Sequence, residues 1–326
     1  MPLSFNSIFI FNCLFILSCL CSFNVSAQFD GKAGSPGSEA IFADSSIIKN
    51  WANGCKIIRG RKNISQPEMG FAESGDEFSA TGKAGENGVV SLGDRGVAIL
   101  TFPKPIANGP GADFAVFENA FIDNFLELAF VEVSSDGNRF FRFPSISNTA
   151  TLPQIGPFDT LSDPSLIRNL AGKYRAFFGT PFNLEELKDS IGLDISAITH
   201  VRIVDAVGSI DPQWGSTDSR GRMVNDPFPT PFESGGFDLD AVGVIHERVE
   251  NDASLYFFPN PTDSRIQLKE NAYGISEFYL ADWSGKKVNS SAGLTMDLSF
   301  LPDGIYFAIS ETTNTKKLVQ KIWKKK

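Results

Sequence analysis

Beyond residue 27 the chain is a succession of short apolar runs at strand spacing, each stopped by glycine, proline or an Asp-Gly pair. That punctuation restricts it to an antiparallel β-fold. The most explicit unit is residues 126–134 (LELAFVEVS), followed by Ser135-Asp136-Gly137-Asn138 and then 139–143. Asp-Gly supplies the positive φ that a hairpin turn requires. Residues 97–102, 113–117, 200–204 and 237–245 are further strands rich in Val, Ile and Phe, separated by Asn108-Gly109-Pro110-Gly111, Asp211-Pro212 and Asp226-Pro227. One helix is expected, over 184–190, with Asn183 as its cap and Glu186 at the capping-box position. Phe182 and Leu187 form its hydrophobic staple, and Gly192 ends it. The expected fold is all-β: a β-sandwich or jelly-roll body with a minor helix over residues 28–250, then a small Ig-like β-sandwich over 251–326.

The first 27 residues read differently. Residues 8–21 form an apolar run of signal-peptide length, and Val25-Ser26-Ala27 is a small-x-small cleavage signal. Cleavage after Ala27 is expected, and no other stretch has the length and apolarity of a membrane span. Three of the four cysteines lie in this leader, so the mature chain keeps only Cys55 and has no internal disulfide. Charge divides the remainder. Residues 28–253 carry 19 basic against 31 acidic side chains, whereas residues 254–326 carry 10 against 7. An acidic body excludes nucleic acid as a partner, since phosphates need a basic surface. It suits a solvated exterior or a bound cation.

The tail contains Phe258-Pro259-Asn260-Pro261, a turn at Ser284-Gly285-Lys286-Lys287, the segment Leu301-Pro302-Asp303-Gly304-Ile305-Tyr306 and a basic last strand ending in Lys324-Lys325-Lys326. Prolines stiffen the start, and Ser284-Gly285 and Pro302-Asp303-Gly304 turn hairpins. These elements, in this order over about seventy residues, resemble the type A C-terminal sorting domain of proteins exported by the bacterial type IX secretion system. The resemblance rests on Pro259, Asn260, Pro261, Gly285, Leu301, Pro302, Gly304 and Tyr306. It implies contact with the type IX machinery and a destination outside a Gram-negative cell, either released or held at the outer surface.

Carboxylates at strand ends are the body's chemical candidates. Asp113 opens a strand that Glu118 and Asn119 close, and Asp238 and Asp240 share one face of the strand at 237–245. Unpaired carboxylates are costly to bury, and two acids with an Asn carbonyl make an oxygen set suited to Ca²⁺. Asp205 is a lesser candidate. The stretch from Asp218 to Asp226 lacks EF-hand spacing and reads as a solvated loop. Trp51, Trp214, Phe228 and Phe232 offer aromatic platforms for a ligand. The Val-Glu-Val-Ser-Ser-Asp-Gly hairpin (131–137) and the Val-Arg-Ile strand (201–203) resemble galactose-binding-like jelly rolls, which implies ligand binding at loops on one edge, often of carbohydrate.

With only His200 and His246 a His-rich metal site is excluded, and no G-x-S-x-G, H-E-x-x-H or P-loop occurs. Three readings remain. One is a surface module that binds a glycan or another nutrient, with a structural calcium. Another is a polysaccharide hydrolase working through two carboxylates such as Glu118 with Asp238 or Asp240. The third is an adhesin or surface-layer element.

Overall fold

The computed structural model describes residues 29–248, 257–268, 278–311 and 317–326; the expected leader lies outside them. The chain divides into two compact units, Met1–Arg248 and Val249–Lys326.

The first unit is a β-sandwich. Its main strands are β1 (Gly54–Ile58), β2 (Val97–Ile106), β3 (Phe114–Glu118), β4 (Ala129–Ser134), β5 (Phe178–Phe182), β6 (Ile198–Asp205) and β7 (Asp238–Val244). One sheet runs in the order Ile41–Phe42, β5, β3, β7, Asn50–Trp51, with Val90–Ser91 also on β7. The other runs Leu170–Ala171, β4, β6, β2, β1, with Phe141–Arg142 on β4. Alternation along each strand decides what fills the space between them. Phe114, Val116, Leu239, Val242 and Val244 of the first sheet meet Ala98, Leu100, Val131, Val133, Val201 and Ile203 of the second in one buried cluster. The reverse face of the first sheet is covered too, because Ala115, Phe117 and Ala241 pack under Ala43, Ala84 and Trp51. A sheet buried on both faces explains why residues 114–118 are apolar without alternation.

Asp136 organises the hairpin after β4: its carboxylate accepts the N–H groups of Asn138 (2.8 Å) and Arg139 (2.9 Å), with Gly137 at φ 75°. The expected helix is a single 3₁₀ turn, Leu184–Leu187. Asn183 caps it by accepting the N–H of Glu185, but Glu186 turns away from the box to accept a hydrogen bond from Asn169 at 2.7 Å. Tertiary pairing outcompetes the local cap.

The second unit is a smaller sandwich. A three-stranded sheet of Phe257–Phe258, β8 (Arg265–Leu268) and β11 (Thr295–Asp297) accompanies a four-stranded one ordered β10 (Lys287–Ser291), β9 (Phe278–Ala281), β12 (Gly304–Glu311), β13 (Lys317–Lys324). Phe257, Ile266, Leu280, Leu298, Ala308 and Ile322 form its core. Among the described residues no helix is long and apolar enough to cross a membrane.

Candidate functional site

Antiparallel order brings the start of β2, the end of β3, the start of β4, the end of β6 and the start of β7 to one end of the body. Each of these positions carries an acid. Seven carboxyl groups gather there: Asp94, Glu118, Glu127, Asp205, Asp226, Asp238 and Asp240. Several cap backbone N–H groups of the end loops. Glu118 accepts from Ala120 (2.8 Å), Asp226 from Leu128 (2.9 Å), Asp94 from Ile64 (2.7 Å), and Asp205 from Phe237 (2.8 Å) and Arg95 (3.0 Å). Asp240 sits at a β-bulge between Leu239 and Ala241, where it accepts the Gly85 N–H.

Every one of the seven holds its proton more tightly than an ordinary carboxyl. Burial lifts Asp205 to about 8, aided by the charge of Asp94, and lifts Asp94, Asp238 and Asp240 each to about 6. Glu118 and Asp226 are pushed up strongly by burial and then by neighbouring acids. Glu127 is raised by burial and by Asp238, Glu118, Asp226 and Asp205. Among the described residues none of the seven forms an ion pair with a lysine or arginine, and no three His, Cys, Asp or Glu side chains stand together as a metal cluster.

The candidates named from sequence divide between two ends. Glu118, Asn119, Asp238 and Asp240 belong to the acid-lined end. Asp113 precedes β3 and so lies at the opposite end, where it accepts the N–H groups of Gly109 (2.7 Å) and Leu184 (2.7 Å) and pairs with His246 Nδ1 (2.8 Å). Trp214, Phe228 and Phe232 sit in the loops at the acid-lined end. Phe232 is exposed with its ring tilted against Phe158 at 5.5 Å between centroids, Phe228 is half-buried, and the Trp214 carbonyl accepts a hydrogen bond from Arg95. Trp51 packs on Phe117 as core. The 218–226 stretch is exposed over residues 219–222, as a solvated loop would be, but its two ends are buried. Asp218 is buried and accepts the N–H groups of Ser147, Arg220 and Arg222, while Asn225 binds Ile155 and Asp226 binds Leu128. Residues 145–155 fold over this segment, a long-range contact with no trace in the local pattern. Cys55 is half-buried, and burial followed by the charge of Glu77 pushes its thiol up to about 12.

A second feature had no sequence signal. A cleft of about 610 Å³ opens beside β5, lined by Phe29, Asp30, Glu39, Arg168, Asn169, Lys173, Tyr174, Phe182 and Glu186 among others. Buried Lys173 and the Tyr174 hydroxyl both donate to Asp30, and Arg168 pairs with Glu186. The volume is that of a small-ligand site, with aromatic surface and donors and acceptors of both signs.

In the tail the motif residues have structural jobs. The Asn260 side chain donates to the Lys321 carbonyl (2.7 Å) and accepts the Trp323 N–H (2.9 Å), so residues 260–262 cover the open edge of β13. Gly285 takes φ 84° in a turn closed by Asp282. Leu301 packs on the core, and the Tyr306 hydroxyl donates to the Pro302 carbonyl at 2.9 Å. Lys324, fully buried, pairs with Asp303 at 3.2 Å.

Residues 256–325 match the family described as secretion system C-terminal sorting domain. The tail is a type IX sorting domain. A chain carrying this sorting domain is a secreted or cell-surface protein, and the C-terminal lysines are partly structural within it, since Lys324 is enclosed. No curated protein matches the chain. Among solved structures it is similar to a β-glucuronidase from Ruminococcus gnavus. With uronic deoxynojirimycin that enzyme is 9% identical at TM-score 0.23, covering 86% of this chain and 45% of that one. With C6-substituted uronic isofagomine it is 10% identical at TM-score 0.23, covering 85% and 45%. The chain thus spans under half the length of those enzymes, and likenesses so loose carry no argument about the body.

Proposed function

We propose that the protein is an exported surface module whose body binds a glycan or another small nutrient in the cleft beside β5. The cleft itself supports this reading: about 610 Å³ lined by Phe29, Tyr174 and Phe182 together with Arg168, Asn169, Glu39 and Glu186. Tyr174 and Phe182 are buried and form the floor, so the Phe29 ring is the face that takes the apolar side of a sugar ring, while planar charged and amide groups take its hydroxyls. Signal-peptide removal near Ala27 leaves Phe29 and Asp30 close to the new amino terminus, and both line the cleft. A structural calcium at the acid-lined end belongs to the same reading, as a clamp on the loops. A hydrolase using Glu118 with Asp238 or Asp240 is not favoured. Glu118 is 2% exposed and held by backbone N–H groups, a poor position for reaching a glycosidic bond.

Glycan-array screening followed by calorimetry on the mature chain tests the proposal. A carbohydrate or small nutrient should bind, and Arg168→Ala should weaken it tenfold or more without moving the melting temperature. If no ligand of either class binds, or if the Arg168→Ala affinity is unchanged, the cleft is not the site.

A further inference from the structure

The outer face of the second sheet carries more positive charge than the fold uses. Register places Arg142, Glu132, Arg202, Ile99 and Lys56 opposite one another on five adjacent strands, from Phe141–Arg142 through β4, β6 and β2 to β1. At ordinary strand spacing the row is about 19 Å long. Val133, Ile203 and Ala98, one residue along, point into the core, so alternation turns the row outward.

Glu132 is buried and accepts from Arg142 Nε at 2.8 Å, while Arg202 pairs with its other oxygen. One guanidinium balances one buried carboxylate, so the second is surplus. Arg142 engages Glu132 only through Nε, and among the described residues its two Nη groups donate to nothing. Each guanidinium is seated on a ring, Arg142 at 4.2 Å over Phe130 and Arg202 at 4.0 Å over Phe140. Stacking fixes both before a partner arrives. Across Ile99, Lys56 is exposed and, among the described residues, has no hydrogen-bond or ion-pair partner.

The row therefore sets three positive charges against one negative, within a body of 19 basic and 31 acidic side chains. The acids that border it face backbone amides. Asp136 accepts N–H groups of its own turn at the hairpin tip, and Glu77 accepts the Ile57 N–H (3.2 Å) at the β1 edge. Beside the row, Val204, Val97 and Ile58 stand in register as an apolar strip, with Ile58 57% exposed.

We infer that this face binds an acidic polysaccharide through the carboxylates of its uronic acid units. A planar carboxylate takes two parallel N–H bonds from the free fork of Arg142. Lys56 meets a later carboxylate of the same polymer as a point charge, and the strip covers apolar ring faces between them. An open row crossing five strands suits an extended polymer, since a single sugar needs an enclosing pocket. The face belongs to the second sheet and the cleft lies beside β5 in the first, so this site goes beyond the cleft and stands without it.

The test is calorimetry of the mature full chain with polygalacturonate, neutral dextran, and dextran sulfate of matched charge density. Polygalacturonate should bind and dextran should not, and raising low salt to physiological strength should weaken binding severalfold. Lys56→Ala and Arg142→Ala should each lower affinity about tenfold. Lys56→Ala should also leave the melting temperature unchanged, because its ammonium holds nothing in the fold. Arg142→Lys keeps the charge without the fork and should restore only part of the loss. Arg168→Ala, in the cleft, should bind polygalacturonate as the wild type does. No binding of polygalacturonate, or unchanged affinity in both Lys56→Ala and Arg142→Ala, would overturn the site, as would a loss confined to Arg168→Ala. Tighter binding of dextran sulfate would overturn the carboxylate assignment, and equal binding of dextran the role of charge.

Discussion

The body and the tail use the same local device, a carboxylate accepting backbone N–H groups at a turn, with opposite electrostatic results. In the tail, Asp282, Asp297 and Asp303 all hold their protons more weakly than usual. The first responds chiefly to Ser284, the second to the Ser299 N–H and the third to the Lys326 N–H. Water surrounds these turns, so the charge costs little. At the acid-lined end of the body, Asp94, Glu118, Asp205 and Asp226 accept backbone N–H groups just as well, yet all hold protons more tightly. Burial and mutual repulsion outweigh the hydrogen bonds. Capping chemistry is local, whereas the sign of the shift is set by how many other strand ends arrive at the same place.

The comparison can be broken first at the core, where the two sandwiches should behave alike. Phe114 is fully buried between Phe143 and Phe182. Phe114→Ala should cost roughly 3–5 kcal/mol in denaturant unfolding; a loss below about 1 kcal/mol would mean that the body is not closely packed there.

Next comes pH. A carboxyl whose folded pKa is raised stabilises the fold fully below its unfolded value and loses that contribution as pH climbs through the folded value. In chelator, stability of the body should therefore fall between about pH 4 and pH 8. Asp94 alone, raised from 3.8 to about 6, accounts for roughly 3 kcal/mol. A flat profile over that range would remove the contrast with the tail.

A smaller effect is expected from the buried cation of the tail, Lys324. Asp303→Asn leaves the fully buried Lys324 without its counter-charge. Because Asp303 is half exposed and screened, about 1–2 kcal/mol is expected rather than the value for a wholly buried pair, read as an earlier unfolding of the tail. The smallest change should come from Tyr306→Phe, which removes only the hydrogen bond to Pro302. About 1 kcal/mol at most should be lost, with export retained.

Much of the architecture could be read from residue order. Strand spacing located β2, β3, β4, β6 and β7, and the ordered tail motif led to the sorting domain, because hairpin turns and edge-covering segments are short-range. Site residues were less legible. Glu118, Asp238 and Asp240 stood out since each closes or opens an apolar run. Asp94, in Gly93-Asp94-Arg95-Gly96, and Glu127, in Leu126-Glu127-Leu128, carried the same signal at the heads of β2 and β4 and were passed over. Asp113 carried that signal as well, yet it belongs to the other end because β3 runs away from it. Asp226 hid in a segment that looked solvated until residues 145–155 covered it.

The amino-acid sequence by itself determined the strands, their turns, the acidic character of the body and the address on its tail. These depend on side-chain alternation and on bonds spanning a few residues. Only the tertiary structure decided which strand ends meet, and therefore which acids share one buried space, which face their own backbone and which cleft forms beside β5. Sheet order joins residues as far apart as 94 and 238, and electrostatic energy depends on that distance through space rather than along the chain.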